Sequence, residues 1–480
     1  MTTEQLLQMV KDGKAMSLRR QLSLTAKLSL PAMLAQLSNI VMQYIDASMV
    51  GSLGADASAS IGLVSTTIWL FGGLCSAIAA GFAVQVAHLV GAKRNDDARS
   101  VLRQSLVTCL LVGVVLCLVG VVISDGLPRW LGGHEGINAD ASRYFLIFAL
   151  CLPPLIMQIL GGAMLRCSGN IKVPAMLNIA TCVLDVIFNF LFIFPSRQLT
   201  LGGVSILLPG CGLGVTGAAL GTAVAEVAVA VVMLYWVCFR SSEIGLRGTR
   251  GSFRPTLPVL RRALAIGSPL AVQHVLMCGA QISITRIVAP LGSISIAANA
   301  FGITAESLCY MPGYGFSEAA TTLVGQSIGA GRKQLTRSFA RITVLSGMAI
   351  MTVMGVLMYI GAPLMMSLMT PVQEVVELGT RVLRIEAWAE PLFGAAIVCN
   401  GVFVGAGDAT VPAVMNLVSM WAVRLTLAAL LVGSMGLAGV WLAMCIELCF
   451  RGAIFLLRLR YGNWIKLSCT TKKASVPIWN

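Results

Sequence analysis

The chain has 480 residues, of which 57% are hydrophobic and 11% charged, less than half the roughly 25% charge of an average soluble domain. That excludes a water-soluble globular protein and leaves a polytopic membrane protein. The formal net charge of +14 would suit a nucleic-acid binder if it formed one patch. The lysines and arginines instead punctuate apolar stretches, so membrane lipid is the expected partner and nucleic acid is not.

The first 27 residues carry Lys11, Lys14, Arg19, Arg20 and Lys27 without a short apolar core and a small-residue cleavage site. This argues against a removable signal peptide and for a short amphipathic cytoplasmic helix. Apolar runs then predict an all-α fold of twelve transmembrane helices, near 28–50, 60–87, 104–125, 143–166, 173–195, 213–239, 264–289, 295–325, 340–362, 383–405, 412–434 and 437–458. With the N-terminus inside, the basic residues fall on cytoplasmic segments. The exceptions are Arg129, Arg143, Arg197, Arg381 and Arg384 outside, and Arg286 and Arg424 within crossings. That asymmetry places both chain ends in the cytoplasm. The expected organisation is an N-terminal segment (1–27), a first six-helix lobe (28–239), a basic linker (240–262), a second lobe (263–460) and a tail (461–480).

The first crossing contains Pro31 and, near its far end, Asp46. A constant shift of 238 residues takes Pro31 to Pro269, Gly54 to Gly292, Gly91-Ala92 to Gly329-Ala330, Arg103 to Arg341, Pro153 to Pro391, Gly169 to Gly407 and Asn178 to Asn416. The chain is therefore a duplicated unit. Six crossings per copy make the repeat parallel, about an axis along the membrane normal, with a cavity between the halves. Under the same shift Asp46 becomes Ile284, so the first copy holds a carboxylate that the shared fold does not need.

In the fifth crossing Asn178, Thr181, Asp185 and Asn189 fall on one helical stripe about 16 Å long. Their copies are Asn416, Ser419, Val423 and Leu427, so the carboxylate is again confined to the first half. A carboxylate inside the bilayer is costly and faces protein or water. Asp46 and Asp185 are thus the first candidates for a coupling function. In the sixth crossing Gly212-x-Gly214-x-x-Gly217 imitates a dinucleotide fingerprint without the strand and domain that would give it meaning. Gly217 and Gly221, one turn apart, suit close helix packing. Glu226 and Glu447 occupy similar places in the sixth and twelfth crossings. Arg286, Arg424 and Glu447 are expected to be structural, with Arg424 paired to Glu390 or Glu447. The 14 cysteines show no metal spacing and read as small buried hydrophobes. His88, His134 and His274 are too scattered for a catalytic or metal constellation, so neither an enzyme nor a metal site is expected.

These residues resemble the multidrug and toxic compound extrusion (MATE) family over about residues 20 to 460. The resemblance rests on Ile45-Asp46 followed by Gly51 and Gly54, on Leu165-Arg166 with Gly169 and Pro174, and on Leu184-Asp185. Gly217-Ala218-Ala219 with Thr222, Ala289-Pro290-Leu291-Gly292-Ser293 and the turns at Gly91-Ala92 and Gly329-Ala330-Gly331-Arg332 also fit. It implies two six-helix lobes around a V-shaped cleft and export of organic, often cationic, compounds in exchange for H+ or Na+, with no other cofactor, by a monomer. It implies cation coupling at Asp46, Asp185, Thr181, Thr222 and Asn189, while Asn39, Gln43, Asn178, Gln273, Glu306 and Glu390 are candidates for the substrate cleft. The family's carboxylates of crossings seven and ten, typical of NorM-type sodium sites, fall on Met277 and Gly394. The pattern is closer to the DinF branch, although Thr181 stands where that branch often has Asn. The alternative function is a lipid-linked oligosaccharide flippase of the same superfamily.

Overall fold

The computed structural model describes residues 1–201 and 204–465, those at 55 and 197–208 by backbone alone. The amphipathic α1 (Thr3–Lys11) is closed at its start by a capping box between Thr2 and Gln5. It buries Leu6, Leu7 and Val10 against Leu24 and Leu28 and against Leu323 and Phe339 of the second half. The first half continues with α2 (Leu18–Gly51), α3 (Ala55–Gly91), α4 (Asn95–Ile123), α5 (Leu127–Trp130), α6 (Glu135–Leu150), α7 (Leu152–Ser168), α8 (Lys172–Ile193) and α9 (Gly214–Tyr235), the last running into a π turn over Trp236–Arg240. The second half comprises α10 (Leu257–Val288), α11 (Ser293–Gly329), α12 (Lys333–Met369), α13 (Gln373–Glu386), α14 (Glu390–Gly405), α15 (Thr410–Val418), a π turn over Ser419–Arg424, α16 (Leu425–Met435) and α17 (Leu437–Tyr461).

Among the described residues eight helices are long and apolar enough to cross a membrane, and two bent pairs, α6–α7 at 50° and α13–α14 at 60°, bring the number to ten if each pair is one span. Prolines at the start of the second member, Pro153 and Pro391, account for both bends by removing a backbone donor. The long helices α2 and α11 are missing from that set. Gln36, Asn39, Gln43 and Asp46 interrupt one, and Asn299, Glu306, Glu318 and Gln326 interrupt the other.

Two helix starts differ from the sequence reading. The first long helix already begins at Leu18, inside the stretch assigned to a separate N-terminal segment, because Gln21, Leu24 and Thr25 continue its buried face. The linker contributes its last residues to α10, which starts at Leu257. The fold is all-helical as expected apart from one hairpin between α8 and α9, made of β1 (Pro195–Leu201) and β2 (Val204–Cys211), paired antiparallel. The expected tail from Lys466 onward lies outside the described residues.

The two largest apolar cores among the described residues run from Val64 to Ala263 and from Ala280 to Leu448, and smaller ones join the halves, such as Val84 with Ile266 and Val404. The repeat is visible in the backbone: the left-handed turn that Lys93 makes at φ 59° recurs 238 residues later at Gly331, φ 71°. The linker is held down, with Glu243 gripping Lys11 Nζ at 2.6 Å and accepting from Asn95 Nδ2 at 2.7 Å.

Candidate functional site

In the first half, α2 and α8 bring the predicted carboxylates together. Asn189 Nδ2 donates to Asp46 Oδ1 at 2.9 Å and to Asp185 Oδ2 at 3.0 Å, so one amide bridges the two acids with its two hydrogens. Asp46 is half-buried, whereas Asp185 is 0% exposed and Asn189 1%. Thr222 and Asp46 adjoin the Asp185 carboxyl, yet Asp185 Oδ1 has no hydrogen-bond partner. A buried acceptor of this kind is the place where a proton or cation is wanted.

Helix packing sets the geometry. A Cβ on Gly221 of α9 would lie 2.1 Å from Asn189 Oδ1, and one on Gly217 2.4 Å from the Phe192 carbonyl. The two glycines therefore let α9 lie directly on α8, as their one-turn spacing suggested. Thr181 faces the same way, but its hydroxyl donates to the Leu177 carbonyl at 3.0 Å, one turn back from the acids. Tyr144 of α6 lies in electrostatic range of Asp46, Asp185 and Glu226. No spacing rule pointed to it, because it comes from a different helix.

The cleft candidates separate. Asn39 and Gln43 share a face of α2 with Asp46; Asn39 accepts from Cys182 Sγ at 3.3 Å, and Gln43 is exposed. Asn178 and Gln273 are half-buried. Glu306 and Glu390 do not line an open cleft: they are 6% and 0% exposed. The bend between α13 and α14 turns Glu390 inward, against Gly355 of α12. Across the bend stands Glu386, also 0% exposed, and none of the four carboxylate oxygens of Glu386 and Glu390 has a partner. Glu386 escaped the sequence reading, although two glutamates one turn apart beside a proline were the available signal.

Arg424 makes no close ion pair among the described residues, although Glu447 and Glu306 are the acids nearest its charge. Glu447 is taken by Arg451, one turn on, through Nε at 2.7 Å and Nη2 at 2.8 Å, and by the Ser419 hydroxyl. Glu390 makes no contact with Arg424, which touches Met444 Sδ and has a buried, unpartnered Nε. Arg286 is exposed near the end of α10. Glu318 reaches the first half, with Arg166 Nε at 3.6 Å and Gln36 Nε2 at 3.3 Å. Among the described residues no group of three or more His, Cys, Asp and Glu side chains is arranged to hold a metal ion.

A bundle of long apolar helices with carboxylates inside the span is the architecture of a polytopic membrane transporter. A family model described as MatE matches residues 31–191 and, from the repeat partner of Pro31 onward, 269–430. The chain belongs to this family, whose members are transporters and not enzymes. It is 25% identical over 450 residues to a probable multidrug resistance protein NorM of Thermotoga maritima, covering 93% of this chain and 94% of that one. It is 25% identical to the multidrug resistance protein MdtK of Yersinia pestis, covering 90% and 94%. Its fold matches that of an outward-facing multidrug resistance MATE transporter of the MOP superfamily, with a TM-score of 0.85 at 19% identity over 96% and 98% of the chains. A MOP superfamily transporter from Pyrococcus furiosus, described as having a binding pocket of reversed polarity, also aligns with a TM-score of 0.85, at 19% identity over 96% and 97%.

Proposed function

We propose that the protein is a monomeric secondary antiporter that exports organic, chiefly cationic, compounds from a bacterial cytoplasm. It takes up H+ through the Asp46–Asn189–Asp185 cluster in return. The observation that carries this reading is the single amide bridging two carboxylates in a half whose copies at those positions, Ile284 and Val423, are apolar. Two adjoining carboxylates in a low-dielectric site cannot both ionise freely, so they take up and release a proton as a unit. The half-buried Asp46 gives that unit a route to water, and the relatives' names supply the multidrug role.

Twelve crossings in two six-helix lobes around a V-shaped cleft are part of the proposal. The ten spans together with α2 and α11 make twelve, and the two largest apolar cores lie mainly one in each proposed lobe. The basic turns after α3 and α11, the linker and α1 lie at one end, which the positive-inside rule makes cytoplasmic. Coupling through the first lobe, in the manner of the DinF branch, is supported by Gly394, where a Cβ would lie 2.6 Å from Met351 Cγ and no carboxylate fits without displacement. The test is dye efflux from proteoliposomes under an imposed proton gradient and then a sodium gradient. Proton-driven efflux that Asp46→Asn and Asp185→Asn each abolish, with the double variant no worse, is the expected result. Normal proton-driven efflux by both single variants would end the proposal.

A further inference from the structure

The two halves meet at their cytoplasmic ends through contacts that obey the repeat. His88 Nε2 lies 2.9 Å from the Gly405 carbonyl, and Gln326 Nε2 donates to the Cys167 carbonyl at 2.9 Å. Shifting by 238 residues converts one bond into the other: His88 into Gln326, and Cys167 into Gly405. Each side chain crosses from one half to the last turn of the other half's bent helix, α7 or α14. Both are buried, His88 at 7% and Gln326 at 0% exposure.

The backbone prepares these bonds in the same symmetric way. A Cβ on Gly329 would lie 2.0 Å from the His88 carbonyl, and a Cβ on Gly91 2.1 Å from the Gln326 carbonyl. Gly91 and Gly329 are again repeat partners, so α3 and α11 touch backbone to backbone just where the two side chains reach across. The Thr322 hydroxyl adds a bond to the Arg166 carbonyl at 3.2 Å, which has no twin because the corresponding position is Val84.

We propose that His88 and Gln326 are a matched pair of positioning residues that latch the cytoplasmic ends of the two halves, and that export requires both bonds to break together. The sidedness rests on the proposed topology; the latch itself does not. A carbonyl can only accept, so His88 serves with its Nε2–H, and a glutamine at position 88 has the same donor in reach. A merely space-filling role would not be satisfied by that change.

The experiment is hydrogen–deuterium exchange of the full-length protein in lipid nanodiscs, without substrate or ion gradient, so it reads the latch whether or not the antiport reading holds. His88→Ala and Gln326→Ala are expected to speed exchange in peptides covering 160–169, 321–331 and 400–408 by about five- to tenfold, the factor for one hydrogen bond of ordinary strength. Peptides at the opposite ends of α10 and α11 should be unchanged. The swaps His88→Gln and Gln326→His are expected to keep parental exchange, and they test the idea even if the alanine variants fail to fold. Parental protection in both alanine variants, or His88→Gln exchanging like His88→Ala, would overturn the proposal.

Discussion

The two halves hold carboxylates in opposite ways. In the first, Asp46 and Asp185 share the Asn189 amide, and Asp46 stays in reach of water. In the second, Glu306, Glu386 and Glu390 are buried, and Glu386 and Glu390 have no hydrogen-bond donor among the described residues. The same divergence appears at the glutamates of the sixth and twelfth crossings. Glu447 is neutralised by Arg451, whereas four residues beyond Glu226 stands Ala230. Only Asp46 of the amide-bridged pair is partly exposed, Asp185 being as buried as Glu386 and Glu390, so the contrast lies in the shared amide and in the access that Asp46 keeps. A carboxylate inside the membrane thus has three settings in this chain: bridged by an amide, paired with an arginine, or without a donor among the described residues.

Breaking the neutralised pair should have the largest effect on stability. Glu447→Gln leaves Arg451 charged and buried, which costs about 3–5 kcal/mol. Thermal unfolding in detergent should show a clear loss, and an unchanged midpoint would mean that the second half does not depend on its internal ion pair. Next comes Gly221→Ala, which places a methyl group against Asn189. Overpacking of this kind costs about 1–3 kcal/mol, and proton-driven efflux should fall with stability because the bridging amide is displaced.

The sealed acids sharpen the contrast from the other side. Glu386→Gln replaces a carboxylate that has no described donor with a neutral amide, so stability should hold or rise and proton-driven efflux should persist. Loss of efflux with intact folding would make the second half a partner in coupling. The smallest effect concerns the turn in which the halves differ by one residue, Lys93 against Gly331. Lys93→Gly relieves a left-handed conformation but removes the 2.6 Å contact to Asp12, for a net change of under about 1 kcal/mol. The Lys93 hydrogen bond holds the Asp12 carboxyl below its ordinary value of 3.8. A depressed carboxylate stabilises above its unfolded value and loses that contribution as pH falls through the folded one. Docking of α1 should therefore be unaffected between pH 5 and 8 and weaken only below about pH 4, as limited proteolysis near residue 13 would show.

Much of this was legible in the chain. The repeat, the asymmetry of Asp46 and Asp185, and the packing role of Gly217 and Gly221 are one-dimensional signals, because a shift, a missing copy and a one-turn spacing survive without coordinates. Tyr144 and the partnership of Arg166 with Glu318 were not, since each joins helices distant in sequence. The pairing of Arg424 failed for a simpler reason: a nearer arginine, Arg451, one turn along the same helix, had already taken Glu447. The hairpin between α8 and α9 was hidden because its glycines read equally well as a loop.

The polarity of α2 and α11 has a consequence for how the chain enters the bilayer. Neither helix carries an 18-residue stretch apolar enough to be among the spanning candidates, and a single carboxylate or amide near a segment's centre adds appreciably to the cost of leaving the translocon. Each is joined to an apolar neighbour by a short turn, α2 to α3 through Ser52–Gly54 and α11 to α12 through Ala330–Arg332. Insertion as helical hairpins, the apolar member carrying the polar one, lets the translocon accept both.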